Sequence, residues 1–155
     1  MQFIDLAAQR ARISDKIDAA VSKVIREGKY ILGPEVAEFE RRLADYVGVK
    51  HVVACANGTD ALLIPLFALG VGAGDAVFCP SFTFAATAEV VALAGAEPVF
   101  IDIDADTYNM DTVQLKAAIA AVRAEGRLTP KAIIPVDLFG LSADYDAIEA
   151  IAREE

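Results

Sequence analysis

The sequence predicts an α/β fold, in which a parallel or mostly parallel sheet is covered by helices on both faces. Three observations lead there. From residue 51 onward, short strand-like runs alternate with helix-patterned segments through short connections. Those strand-like runs are almost continuously apolar, as burial on two faces requires. Of the 155 residues, 55% are hydrophobic and 24% charged. That composition suits a globular domain with a sizeable core and excludes a disordered chain, which needs low hydrophobicity as well as high charge.

The elements follow in order. Ser14 is placed to cap a helix whose apolar residues Ile17, Val21, Val24 and Ile25 recur at helical spacing up to Gly28. Tyr30-Ile31-Leu32 is an extended piece before Gly33-Pro34, and Pro34 suits the first turn of a second helix. Val36, Phe39, Leu43 and Tyr46 line one face of that helix, and Gly48 stops it. Residues 1–48 thus read as an N-terminal helical segment and residues 49–155 as an α/β domain. In the second part the spacing predicts a strand over 51–55, a helix over 60–69 and a turn over 70–75. A strand over 76–79 and an apolar helix over 84–94 come next. Residues 97–103 form a third strand and 104–111 a polar loop. Thr112 is placed to cap a helix running to about residue 124. A fourth strand over 131–136 and a helix over 143–155 complete the series. Pro65 falls inside the 60–69 helix, where its missing N–H predicts a kink.

Charge and spacing narrow the function classes. The chain carries 23 acidic against 14 basic side chains, a formal net charge of -9, which disfavours nucleic acid as a partner. The longest weakly polar run, residues 61–74, is interrupted by Pro65, Gly70 and Gly72 and falls short of the roughly 18 to 20 residues of a membrane span. Asp5, Arg10 and Arg12 interrupt the opening residues, so no signal-peptide core is expected there. Cys55 and Cys79 both sit in apolar strand-like runs, which suits reduced core thiols in a cytoplasmic protein. His51, the only histidine, lacks metal-ligand partners. Asp102, Asp104, Asp106 and Asp111 do not have EF-hand spacing and read as a solvated acidic turn. No metal site is expected. No GxSxG, CxxC or HExxH motif occurs.

In parallel sheets ligands gather beyond the carboxyl ends of the strands. That rule singles out residues 57–60, 80–84 and 137–140. Asn57-Gly58-Thr59 precedes a helix, so its free N–H groups suit a phosphate; equally, Asn57 or Thr59 caps the helix and Gly58 makes the turn. Phe82 and Phe84 flank Thr83, and either ring suits a stacking partner or the core. Asp137 is placed either to bind a polar ligand or to cap a neighbouring loop.

At these loops the chain resembles the N-terminal part of the DegT-type, pyridoxal-phosphate (PLP) dependent sugar aminotransferases. The matching stretches begin with Phe3-Ile4-Asp5-Leu6, Tyr30-Ile31-Leu32-Gly33-Pro34-Glu35-Val36 and Phe39-Glu40. They continue with Asn57-Gly58-Thr59-Asp60-Ala61-Leu62, Gly74-Asp75 and Pro80-Ser81-Phe82-Thr83-Phe84. Pro98-Val99-Phe100 and Lys131-Ala132-Ile133-Ile134-Pro135-Val136 complete them. The first two stretches look most like the branch acting on UDP-linked 3-keto-uronic sugars.

The resemblance implies a three-layer α/β/α domain, the N-terminal part of the fold-type I large domain, in a homodimer that takes a nucleotide-sugar and an amino-acid donor, expected to be glutamate. It implies that Gly58, Thr59 and Asp60 hold the cofactor phosphate and that Phe84 stacks on the pyridine ring. Many relatives carry His or Ser where this chain has Asp137. The family's Schiff-base lysine and the aspartate that pairs with the pyridinium nitrogen match no position up to Glu155, so no catalytic residue is assigned. On that expectation the sequence is the N-terminal portion of a longer enzyme, residues 1–155 alone do not transaminate, and the strand over 51–55 lacks its neighbours. A sugar dehydratase of the same family and a non-catalytic binding or assembly module are the alternatives.

Overall fold

The computed structural model describes residues 4–155. Phe3, which opens the first matching stretch, lies outside them. The chain divides into two compact units between Ala54 and Cys55.

The first unit is helical: α1 (Leu6–Ala11), α2 (Ser14–Glu27) and α3 (Pro34–Val47). Ser14 is not the cap of α2. Ile13 occupies that position without a side-chain hydrogen bond, and Ser14 is the first helical residue. Pro34 opens α3 as expected, since the missing N–H costs nothing in a first turn, and Gly48 ends it in the left-handed region. Gly33 is required by close approach, because a Cβ there would lie 2.3 Å from the Lys29 carbonyl oxygen. The preceding Leu32 has φ 47°, which is uncommon without glycine. Lys23 of α2 and Glu35 of α3 pair at 2.8 Å. Arg41 and Arg42 hold the Glu38 carboxyl down to about 2. Such solvated ion pairs contribute little to stability.

Residues 51–55 form no strand. A strand exists through its ladder, and these residues have none among the described residues; the Ala54 N–H donates instead to the Glu40 carboxylate at 2.8 Å. Cys55 is exposed, which corrects its assignment to the core, and both cysteines are free.

The second unit contains α4 (Gly58–Ala68), β1 (Asp75–Pro80), α5 (Ala86–Leu93), β2 (Glu97–Ile101), α6 (Thr112–Glu125), β3 (Thr129–Ile133), a 3-10 turn (Leu138–Gly140) and α7 (Tyr145–Glu154). Its sheet is parallel with order β2-β1-β3. Side chains alternate along the central strand and fill two cores. Ala76 and Phe78 join Ile101, Leu115, Ile119, Ile148 and Ile151 under α6 and α7. Val77 joins Leu66, Val71, Val90 and Val91 under α4 and α5. The result is the three-layer α/β/α arrangement.

The boundaries move for physical reasons. β3 begins two residues earlier than expected, and its register against β1 slips between Ala76 and Val77, opposite Pro130. Proline offers no N–H to a ladder, so the strand bulges there. At the other end Ile134 donates to Phe78 O at 2.8 Å, and Pro135 ends the rungs. β2 stops at Ile101, while Ile103 bridges Met110 and closes the intervening loop. Asp111 rather than Thr112 caps α6, accepting from the N–H groups of Val113 and Gln114. Gly126 ends that helix at φ 70°. No described helix is long and apolar enough to cross a membrane.

Two outcomes follow from this packing. Leu115→Ala, at a fully buried position, should lower stability by about 2 to 5 kcal/mol in denaturant unfolding. Burial pushes the Cys79 thiol up to about 11, so at pH 8 it stays protonated. Iodoacetamide should therefore label Cys55 and spare Cys79 until the protein unfolds, as peptide mass mapping would show.

Candidate functional site

The phosphate-loop candidate is built by α4. Asn57 is extended, and its side-chain oxygen accepts from the Asp60 N–H at 2.9 Å while its amide nitrogen donates to the Asp60 carboxylate at 3.1 Å. The Asn57 carbonyl takes the Ala61 N–H at 3.1 Å. Asn57 is the cap, and it satisfies the third and fourth N–H groups of the helix. The first two, from Gly58 and Thr59, have no acceptor among the described residues. They carry the positive end of the helix dipole. Nothing lies within 4 Å of where a Gly58 side chain would project, so the loop is open at that point. Asp60 differs from its neighbours: its N–H is committed, and its carboxylate is held by Asn57.

The second loop leaves the carboxyl end of β1. Phe84 is 78% exposed and belongs to no core. Phe82 turns to other loops: its ring meets Tyr108, which follows β2, at 6.0 Å, and Phe139, which follows β3, at 6.2 Å. Tyr108 and Phe139 meet at 6.3 Å, and all three contacts are edge-to-face. Tyr108 and Phe139 have φ of 60° and 55°. Left-handed backbone at two bulky residues is costly and persists only where surrounding structure imposes it. Sequence reasoning did not find this trio. Its members are 26 or more positions apart, and nothing local marks an aromatic residue for the left-handed region.

Asp137 sits at the start of the third loop. Its carboxylate accepts from the Ala143 N–H at 2.9 Å, which makes it a loop cap. Burial first, then the Asp137 carboxylate, pushes the Tyr145 phenol above its ordinary value. The acidic turn is likewise self-contained: Asp104 accepts from the N–H groups of Asp106 and Thr107 and from the Thr107 hydroxyl. These bonds hold its carboxyl below the ordinary value, the Thr107 N–H first. Asn109 ties this loop to the next by donating to Leu141 O and Ser142 O.

The chain also has recognisable relatives among known proteins. Residues 11–155 match the profile of the DegT/DnrJ/EryC1/StrS aminotransferase family. A UDP-2-acetamido-2-deoxy-3-oxo-D-glucuronate aminotransferase from Pseudomonas aeruginosa is 60% identical over 99% of this chain and 41% of its own length. The crystal structure of a DegT DnrJ EryC1 StrS aminotransferase from Brucella abortus superposes with a TM-score of 0.98 at 70% identity, over 100% of this chain and 42% of that one. The PLP form of a putative sugar aminotransferase from Streptococcus pneumoniae superposes with a TM-score of 0.74 at 37% identity, over 84% of this chain and 32% of that one. The chain thus spans about two fifths of the length of the curated relatives it matches. By sequence and by fold, it belongs to the DegT/DnrJ/EryC1/StrS aminotransferase family.

Proposed function

We propose that this chain contributes the cofactor-holding part of a PLP-dependent aminotransferase that moves the amino group of an amino acid, glutamate, onto a nucleotide-linked keto-sugar. A UDP-linked 3-keto-uronic sugar is the preferred acceptor, on the 60% identity to the Pseudomonas aeruginosa enzyme. The enzyme acts as a cytoplasmic homodimer in this reading. The observation that carries it is the pair of N–H groups at Gly58 and Thr59 that have no acceptor among the described residues, in a chain that also presents an exposed ring at Phe84.

The residues present fit the cofactor. Gly58 and Thr59 offer two backbone donors, and the Thr59 hydroxyl a third, to a dianionic phosphate. Asp60 shapes the loop: its bonds with Asn57 fix the first turn and hold its own negative charge. Phe84 supplies a flat apolar face for the pyridine ring. When bound, PLP supplies the electron sink and the carbonyl group that carries nitrogen between donor and acceptor. This chain's residues bind and orient it.

Two substitutions test the assignment in the full-length protein, with pyridoxamine 5'-phosphate as the calorimetric probe. Gly58→Pro removes one donor at a first-turn position where proline is tolerated. It should weaken binding roughly tenfold to a hundredfold, the worth of a charge-assisted hydrogen bond, with little change in unfolding temperature. Phe84→Ala should weaken it by about tenfold. A variant that binds like the parent removes its residue from the site. Incubating the PLP-loaded protein with glutamate should release 2-oxoglutarate; no release would overturn the proposed donor.

A further inference from the structure

Phe84 is mostly free of packing, so its backbone sets the direction in which the side chain leaves the chain and the rotamers open to it. That backbone is held from both sides. On the N-terminal side, the Ser81 N–H donates to Ile101 O at 2.7 Å, extending the β1–β2 ladder by one bond. The next residue, Phe82, is gripped by Tyr108 and Phe139. On the C-terminal side, the Phe84 carbonyl accepts from the Thr87 N–H at 3.0 Å. The Thr87 hydroxyl also pairs with the hydroxyl of Thr83, the residue before Phe84, at 2.9 Å.

Thr87 is only 5% exposed and lies in a helix whose other buried residues are Ala86, Val90 and Val91. Valine has the same shape and would suit that apolar setting without a hydroxyl to satisfy. Packing alone therefore gives no reason for threonine. The bond to Thr83 does, because it ties the exposed segment to a buried point. A ring already held in its stacking pose loses less freedom when a planar partner arrives.

We propose that Thr87 is a positioning residue for Phe84: its buried hydroxyl anchors Thr83, and through it the orientation of the ring that stacks on the cofactor. The inference rests on the reading that Phe84 stacks on the pyridine ring.

The test uses the full-length protein freed of cofactor, with pyridoxamine 5'-phosphate and inorganic phosphate as separate probes. Thr87→Val should weaken pyridoxamine 5'-phosphate binding roughly three- to tenfold, the worth of one hydrogen bond, and diminish the circular dichroism of the bound ring. Inorganic phosphate should bind as before, and Thr87→Ser should restore both ring readouts. Unchanged ring affinity in Thr87→Val, or an equal loss for inorganic phosphate, would overturn the inference. If Thr87→Val does not fold, Thr83→Val at the half-buried partner decides: lost ring affinity supports the anchor and retained affinity overturns it. Phe84→Ala measured alongside separates the two levels. If Phe84→Ala weakens binding and the threonine variants do not, only the anchor fails. If Phe84→Ala binds normally, the stacking reading falls and the anchor with it.

Discussion

The central strand β1 is the constraint on which the second unit depends. Ala76, Val77, Phe78 and Cys79 are fully buried, with a parallel partner on each side and a helical layer on each face. Such a position admits only residues that can lose water on both sides, and it leaves the backbone no choice but ladder hydrogen bonds. Alternation along the strand sends Ala76 and Phe78 to one core and Val77 to the other. The carboxyl end of this same strand then releases the segment that carries Phe82, Thr83 and Phe84. In the proposed site, rigidity in the core is what would make a largely unpacked aromatic ring usable at the surface.

The proposed cofactor site meets an electrostatic difficulty, since a chain of net charge -9 has to attract a phosphate. The start of α4 answers it locally. Backbone N–H groups at Gly58 and Thr59 concentrate positive potential where the chain turns, and the nearest carboxylate, Asp60, is held by Asn57. A phosphate there would gain hydrogen bonds that no group among the described residues claims. Asp111 and Asp144 use the same device at the starts of α6 and α7, but there the carboxylate itself caps the helix. In the proposed site, the neutral asparagine cap on α4 is what leaves room for an anion.

Much of this was legible in the residues. The apolar run at 76–79 is a buried strand as expected, whereas the strand expected over 97–103 ends at Ile101 and leaves Glu97 and Phe100 exposed. Pro34 and Gly48 bracket α3 by simple stereochemistry. The loop at 57–60 announced itself as a glycine beside a hydroxyl at a helix start. Caps were less legible: Asp111 and Thr112 are both competent, and the backbone chose the residue whose carboxylate reaches two N–H groups. Pro130 illustrates another limit. Its missing N–H foretells a defect in a ladder, but only the register against β1 shows that the strand bulges and carries on.

The sequence by itself determined the class of fold and, from α4 onward, the order of helices and strands, because these depend on local periodicity and on backbone chemistry at proline, glycine and asparagine. Tertiary structure decided what depends on partners distant in the chain. Residues 51–55 have a strand's composition, yet among the described residues they have no ladder, since pairing requires a neighbour as well as a propensity. Cys55 and Cys79 occupy similar apolar runs, but one is exposed and the other buried. Phe82 and Phe84 are two positions apart, yet one is gripped by aromatic residues from two other loops while the other is left bare. Each outcome turns on which segments meet in space, and no local pattern encodes that.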